Sequence, residues 1–222
     1  KPFYATNTWI NEGRTVLIGW LRVKGESGWN GAQSLPRELS ARPDGRMRQV
    51  PVKELECLRK DHLAVEHMVI NPPSDGKHEQ DLSSVLDDEC NTQLISLLGK
   101  SERQVEIKLS ITEWPENFEL WFYPEGADKE NPIAGIFGID KKDGILYLGW
   151  ENGSFGLLPE EKELNLHIFL DNSIIEVFIN ERIAITSTIR PNPETIPQLA
   201  FHFVEGKLMI KSCEIWALEG IW

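Results

Sequence analysis

Asp171 and Glu176 stand five positions apart in the most strongly patterned stretch of the chain, Leu164 to Arg190. Neighbouring carboxylates of this kind can divide acid, base and nucleophile roles between them. Glu176 also has a plainer reading. Beside Ile174 and Ile175 it is expected on the polar side of a pleat as a solvated carboxylate, the alternative being an inward charge that needs a partner. Arg37 and Glu38 are expected to form a structural ion pair rather than a site. Cys57, Cys90 and Cys213 are dispersed and odd in number, with no CxxC or Cys/His spacing suited to zinc, so they read as unpaired thiols. Neither a metal nor a cofactor is expected.

The formal net charge of -12 argues against a nucleic-acid partner, because phosphate binding needs clustered Lys and Arg. The longest apolar runs are too short to cross a bilayer as helices, so no membrane partner is expected either. A neutral ligand is compatible with this charge. No basic-then-apolar segment opens the sequence, and Asn152-Gly153-Ser154 fits the glycosylation triplet.

Any chemistry must be carried on strands. In the stretch 164–190, Leu166, Ile168 and Leu170, then Ile175, Val177 and Ile179, recur at every second position, and Asp171-Asn172-Ser173 and Asn180-Glu181-Arg182 interrupt them. That period and those turn residues predict three consecutive antiparallel strands. Upstream, Tyr4–Ile10 and Thr15–Val23 flank Asn11-Glu12-Gly13-Arg14 as a hairpin. Gln33–Ser40 and Met47–Val50 are expected as two further strands, with Pro43-Asp44-Gly45 as a turn. Four strands of this length have the size of one propeller blade, and a chain opening on a hairpin with apolar faces looks like the edge of something larger.

Val52, Leu55 and Leu58 are spaced for a short helix or turn, which marks a boundary. The expected division is residues 1–50, a linker 51–60 and a second domain 61–222. From Asp61 onward the pattern reads as β throughout: His62–Asn71, Gln104–Thr112, Phe118–Tyr123, Ile133–Ile139, Gly144–Trp150, Gln198–Val204 and Leu208–Leu218. Gln104–Thr112 alternates cleanly and is expected to be half exposed. Asp87-Asp88-Glu89 is expected as a solvated loop, and Asn91–Leu98 fits helix or strand. Glu205-Gly206-Lys207 reads as a tight turn pairing the last two strands. Short strands at this spacing fit a β-sandwich.

Three ordered strings, FYATNTWINEGRTVLIGW, GWNGAQSLPREL and LHIFLDNSIIEVFIN, with the ending EIWALEGIW, resemble the C-terminal part of glycoside hydrolase family 32, the invertases, inulinases, levanases and related β-fructosidases. The resemblance implies an all-β chain: a C-terminal antiparallel β-sandwich preceded by strands of a terminal, incomplete β-propeller blade. It also implies that Tyr4, Trp20 and Trp29 lie near a substrate funnel. Tyr4 is open between sugar contact and core packing, while for Trp20 and Trp29 core packing is favoured, since Trp is mostly buried.

Retaining glycosidases need two carboxylates about 5–5.5 Å apart. In the resembled family the nucleophile Asp stands in a WMNDPNG-like motif, a second Asp in an RDP motif, and the acid/base is a Glu followed by Cys. Neither of the first two motifs occurs here. Glu56-Cys57 and Glu89-Cys90 match the dipeptide but follow the SLPREL-like segment, so both are read as exposed Glu beside free Cys. Asp171 and Glu176 fall in the sandwich hairpin, where the family has no chemistry. No catalytic residue is therefore assigned. The expected partners are a companion propeller chain or a second copy, and a carbohydrate; the alternative function is a stand-alone carbohydrate-binding or oligomerisation sandwich.

Overall fold

The computed structural model describes residues 3–24, 30–72, 79–101, 103–122, 135–189 and 198–220. Sheet I contains β1 (Phe3–Asn11), β2 (Arg14–Lys24), β3 (Asn30–Gln33), β4 (Arg37–Ala41) and β5 (Met47–Pro51), ordered β1-β2-β4-β5 with β3 also on β2. The predicted first hairpin is present. Its turn takes positive φ at Glu12 and Gly13, 50° and 77°, the backbone that joins two strands tightly. The single strand expected over Gln33–Ser40 is instead two, because Pro36 lacks the N–H a ladder needs. Ser34 holds the corner by exchanging bonds with Gly19, its Oγ accepting from Gly19 N at 3.0 Å.

A 3-10 turn over Lys53–Leu58 fulfils the expected short helix. β6 (Arg59–Ile70), β7 (Glu79–Asp81), α1 (Leu82–Val85), α2 (Asp88–Lys100), β8 (Gln104–Glu113), β9 (Asn117–Trp121), β10 (Ile136–Asp140), β11 (Ile145–Leu148), β12 (Glu151–Ser154), β13 (Leu164–Asp171), β14 (Ile174–Ile179), β15 (Ile183–Thr188), β16 (Ala200–His202) and β17 (Leu208–Leu218) follow. Sheet II runs β12-β11-β10-β9-β16-β7 and sheet III runs β15-β14-β13-β8-β17-β6, every pair antiparallel. Sheets II and III close on one core: Phe118, Leu120, Phe137 and Phe201 from one meet Ile107, Leu109, Ile168 and Val177 from the other. This is the antiparallel sandwich anticipated from the strand spacing.

Three further expectations are corrected. The segment after Asp61 is not β throughout, since α2 lies within it and packs Leu94, Leu97 and Leu98 against β6 and β17. Asp87-Asp88-Glu89 is no loop: the Asp87 side chain accepts from Cys90 N at 2.8 Å and caps α2, with Asp88 and Glu89 in the first turn where the helix dipole favours acids. β16 and β17 do not pair, because the connection carries the chain from sheet II to sheet III. The expected start of a strand at Ile133 lies outside the described residues. The three cysteines are free, with Cys57 exposed and Cys213 buried, and burial pushes the Cys213 thiol up to about 12.

Candidate functional site

Tyr4 and Trp20 face each other across the β1–β2 ladder, ring centroids 6.2 Å apart in an edge-to-face arrangement. The Arg22 guanidinium sits 4.7 Å from the Tyr4 ring centre. Both rings project from sheet I on the face opposite Leu21 and Gly19, and they are 55% and 42% exposed. Trp20 is therefore not a core residue. Phe3 occupies the buried side, where a Cβ on Gly19 would lie 2.5 Å from its ring, so the alternation of β2 sends Trp20 outward. Gly31, at φ +95°, makes room for the indole, whose Nε1 would lie 2.1 Å from a Cβ there. Trp9, opposite Val16, extends the same aromatic face. Trp29 lies outside the described residues.

Glu176 is an inward charge with partners, not a solvated carboxylate. It accepts from Arg37 Nη2, from Thr186 Oγ1 at 3.0 Å and from the Leu35 backbone N–H at 2.6 Å. The Arg37 and Glu176 side chains are 4% and 3% exposed. Because the face of β14 that carries Glu176 is covered by sheet I, a position read as solvent-facing is interior. The expected Arg37–Glu38 ion pair is replaced by two others, as Glu38 pairs with Arg14 at 2.7 Å. β8 is likewise not simply half exposed: Glu106 is buried, accepting from Arg59 Nε and Nη2 at 2.8 and 2.7 Å, with His167 Nε2 at 2.6 Å. Against the burial that would raise it, Arg59 and His167 bring the Glu106 carboxyl down to about 2. Burial lowers His167 from the ordinary imidazole value.

Both carboxylates are engaged by donors on each oxygen, which suits clasps between strands. Asp171, at the exposed end of β13, accepts from Gln104 Nε2 at 3.0 Å. Glu56 and Glu89 are exposed, as read from the sequence. Between sheets I and III opens a cleft of about 890 Å³ lined by both signs of charge, including Arg42, Arg48, Lys108, Glu163 and Glu181. Arg48 forks onto Glu181 at 2.6 and 2.8 Å across it. Among the described residues no group of three His, Cys, Asp or Glu is arranged to hold a metal ion.

The model described as glycosyl hydrolases family 32 C terminal matches residues 141–217. Sucrose-6-phosphate hydrolase of Escherichia coli is 28% identical over 97% of this chain and 42% of its own length, and levanase of Bacillus subtilis is 27% identical over 100% and 34%. The chain thus spans about two-fifths of the first of these relatives. In structure it superposes on fructan 1-exohydrolase IIa from Cichorium intybus with a TM-score of 0.69 at 18% identity, covering 99% of this chain and 48% of that one. Sucrose-6-phosphate hydrolase from Lactobacillus gasseri gives 0.67 at 18%, covering 100% and 42%. At that identity the superpositions speak for the fold alone. With the sandwich, the ordered motifs and the matched segment in agreement, the chain is similar to the C-terminal part of glycoside hydrolase family 32, and its residues 141–217 match the model of that part.

Proposed function

We propose that this chain is the non-catalytic C-terminal portion of a β-fructosidase-type glycoside hydrolase, acting on sucrose or fructans only together with a propeller segment that brings the carboxylates. In this reading residues 1–50 form strands of the last blade, 51–60 the linker and 61–222 the sandwich. The observation that carries it is the uncovered face of sheet I, where Tyr4, Trp9 and Trp20 stand exposed on a sheet otherwise clasped to the sandwich. Exposed aromatic rings on one sheet face ask for a covering partner or ligand. Tyr4 and Trp20 supply flat rings on which the C–H face of a sugar packs.

The purified chain should release no fructose from sucrose, levan or inulin, and turnover by it alone would refute the proposal. Joined to a catalytic propeller segment, Tyr4→Ala and Trp20→Ala should raise KM with little change in thermal stability. Light scattering separates the second reading: a stable dimer that needs no propeller segment would favour an oligomerisation module.

A further inference from the structure

Along sheet II, alternate residues enter the sandwich core: Leu120, Phe137, Leu146, Leu148 and Phe201 point in. Their neighbours therefore point out, and the register places Asn152, Tyr147, Gly138, Glu119 and His202 side by side across five strands. Trp121, Ile136 and Ala200 form a small apolar cluster on this outer face, separate from the main core, and Tyr147 packs against it.

The phenol ring of Tyr147 lies across Gly138. A Cβ at that glycine would be 2.1 Å from Tyr147 Cζ and 2.6 Å from Cε1, so only glycine lets the ring lie down on the backbone. Its hydroxyl donates to Glu119 Oε1 at 2.5 Å, while Glu119 Oε2 accepts from Trp121 Nε1 at 2.8 Å and pairs with His202 Nδ1 at 3.1 Å. Trp121 and His202 stack with centroids 5.3 Å apart. The ring is thus supported beneath by a bare peptide and anchored at its tip, yet it stays half-exposed. Asn152 beside it is exposed, and Ile145 extends the same face at 42% exposure.

A rigid aromatic plane flanked by an amide on one side and a carboxylate on the other complements a sugar ring, whose C–H face stacks while its hydroxyls bridge to the polar neighbours. Rigidity matters because a ring held in place loses little freedom on binding. The one fixed charge bonded to the ring is the Glu119 carboxylate, which disfavours an anionic ligand. We propose that the outer face of sheet II, centred on Tyr147 over Gly138, binds a neutral oligosaccharide.

The test is saturation-transfer NMR and calorimetry on the intact chain with 1-kestose, maltotriose and cellotriose as probes. At least one should bind with a dissociation constant on the order of 1 mM, saturation falling on ring C–H protons. Tyr147→Ala should weaken it about tenfold or more, the loss of one aromatic contact. Asn152→Ala, at an exposed position that leaves the Glu119 network intact, should weaken it several-fold and keeps the test open if Tyr147→Ala fails to fold. Absence of transfer to all three sugars at about 10 mM would overturn the proposal. So would binding that Asn152→Ala and a folded Tyr147→Ala leave unchanged, since that signal would arise elsewhere, the Tyr4–Trp20 face included.

Discussion

Arg37 and Glu176 tie sheet I to sheet III through a charge pair that water barely reaches. Glu176→Gln keeps the shape and removes the negative charge, leaving the Arg37 guanidinium buried between the Phe3 and Phe178 rings without its counter-ion. The expected loss of stability is about 3–5 kcal/mol, read from the urea midpoint, and the joint replacement Arg37→Met with Glu176→Leu should cost less than the single change. A single change costing under about 1 kcal/mol would mean that the pair is solvated in solution. At this scale the sequence was half legible. Alternation located Glu176 and Glu106 on the right side of their strands, but nothing in a two-residue period tells whether that side meets water or another sheet. Trp20 misled in the opposite sense, since its size suggests burial while its register with Tyr4 sends it out.

Helix α2 is where the local chemistry of the sequence points two ways. The acids Asp87, Asp88 and Glu89 look like a solvated loop, yet the first is a cap and the others lie in the first turn. Leu94, Leu97 and Leu98 carry the i, i+3, i+4 stripe that should have settled the ambiguity. Asp87→Ala removes the acceptor for Cys90 N and should destabilise the chain by about 1 kcal/mol, with protection from hydrogen exchange lost first over residues 88–92. Unaltered exchange there would contradict the capping role. The β13–β14–β15 meander was legible in full because its turns, with positive φ at Asn172, Asn180 and Glu181, join strands that stay in one sheet. The Glu205–Lys207 turn looks equally tight, but its strands part company. Turn chemistry reports a reversal, not a pairing.

For the molecule as a whole, the Arg59–Glu106–His167 group makes stability depend on acid. Burial depresses His167, so the unfolded chain takes up its proton first, and stability should fall as pH drops below about 6.5. Glu106, held near 2 against an ordinary 4.5, adds a second loss as pH falls from about 4.5 toward 2. Relief of self-repulsion at a net charge of -12 works the other way, so the informative quantity is a difference. Between pH 7 and pH 5, on the order of two pH units, the Tm of the chain should fall more than that of His167→Gln. Equal pH profiles would show that His167 is not linked to folding.

β17 lies between β8 and β6, although it follows both in the chain. The strand next to one edge of sheet III is therefore its last part to be supplied: until Leu208–Leu218 is threaded in, β6 and β8 present bare edges with no way to join. A synthesising or partly cleaved molecule would hold an open slot matched to one extended segment. Its natural misstep is to accept that segment from a neighbouring copy, locking two chains together by exchange of an identical piece.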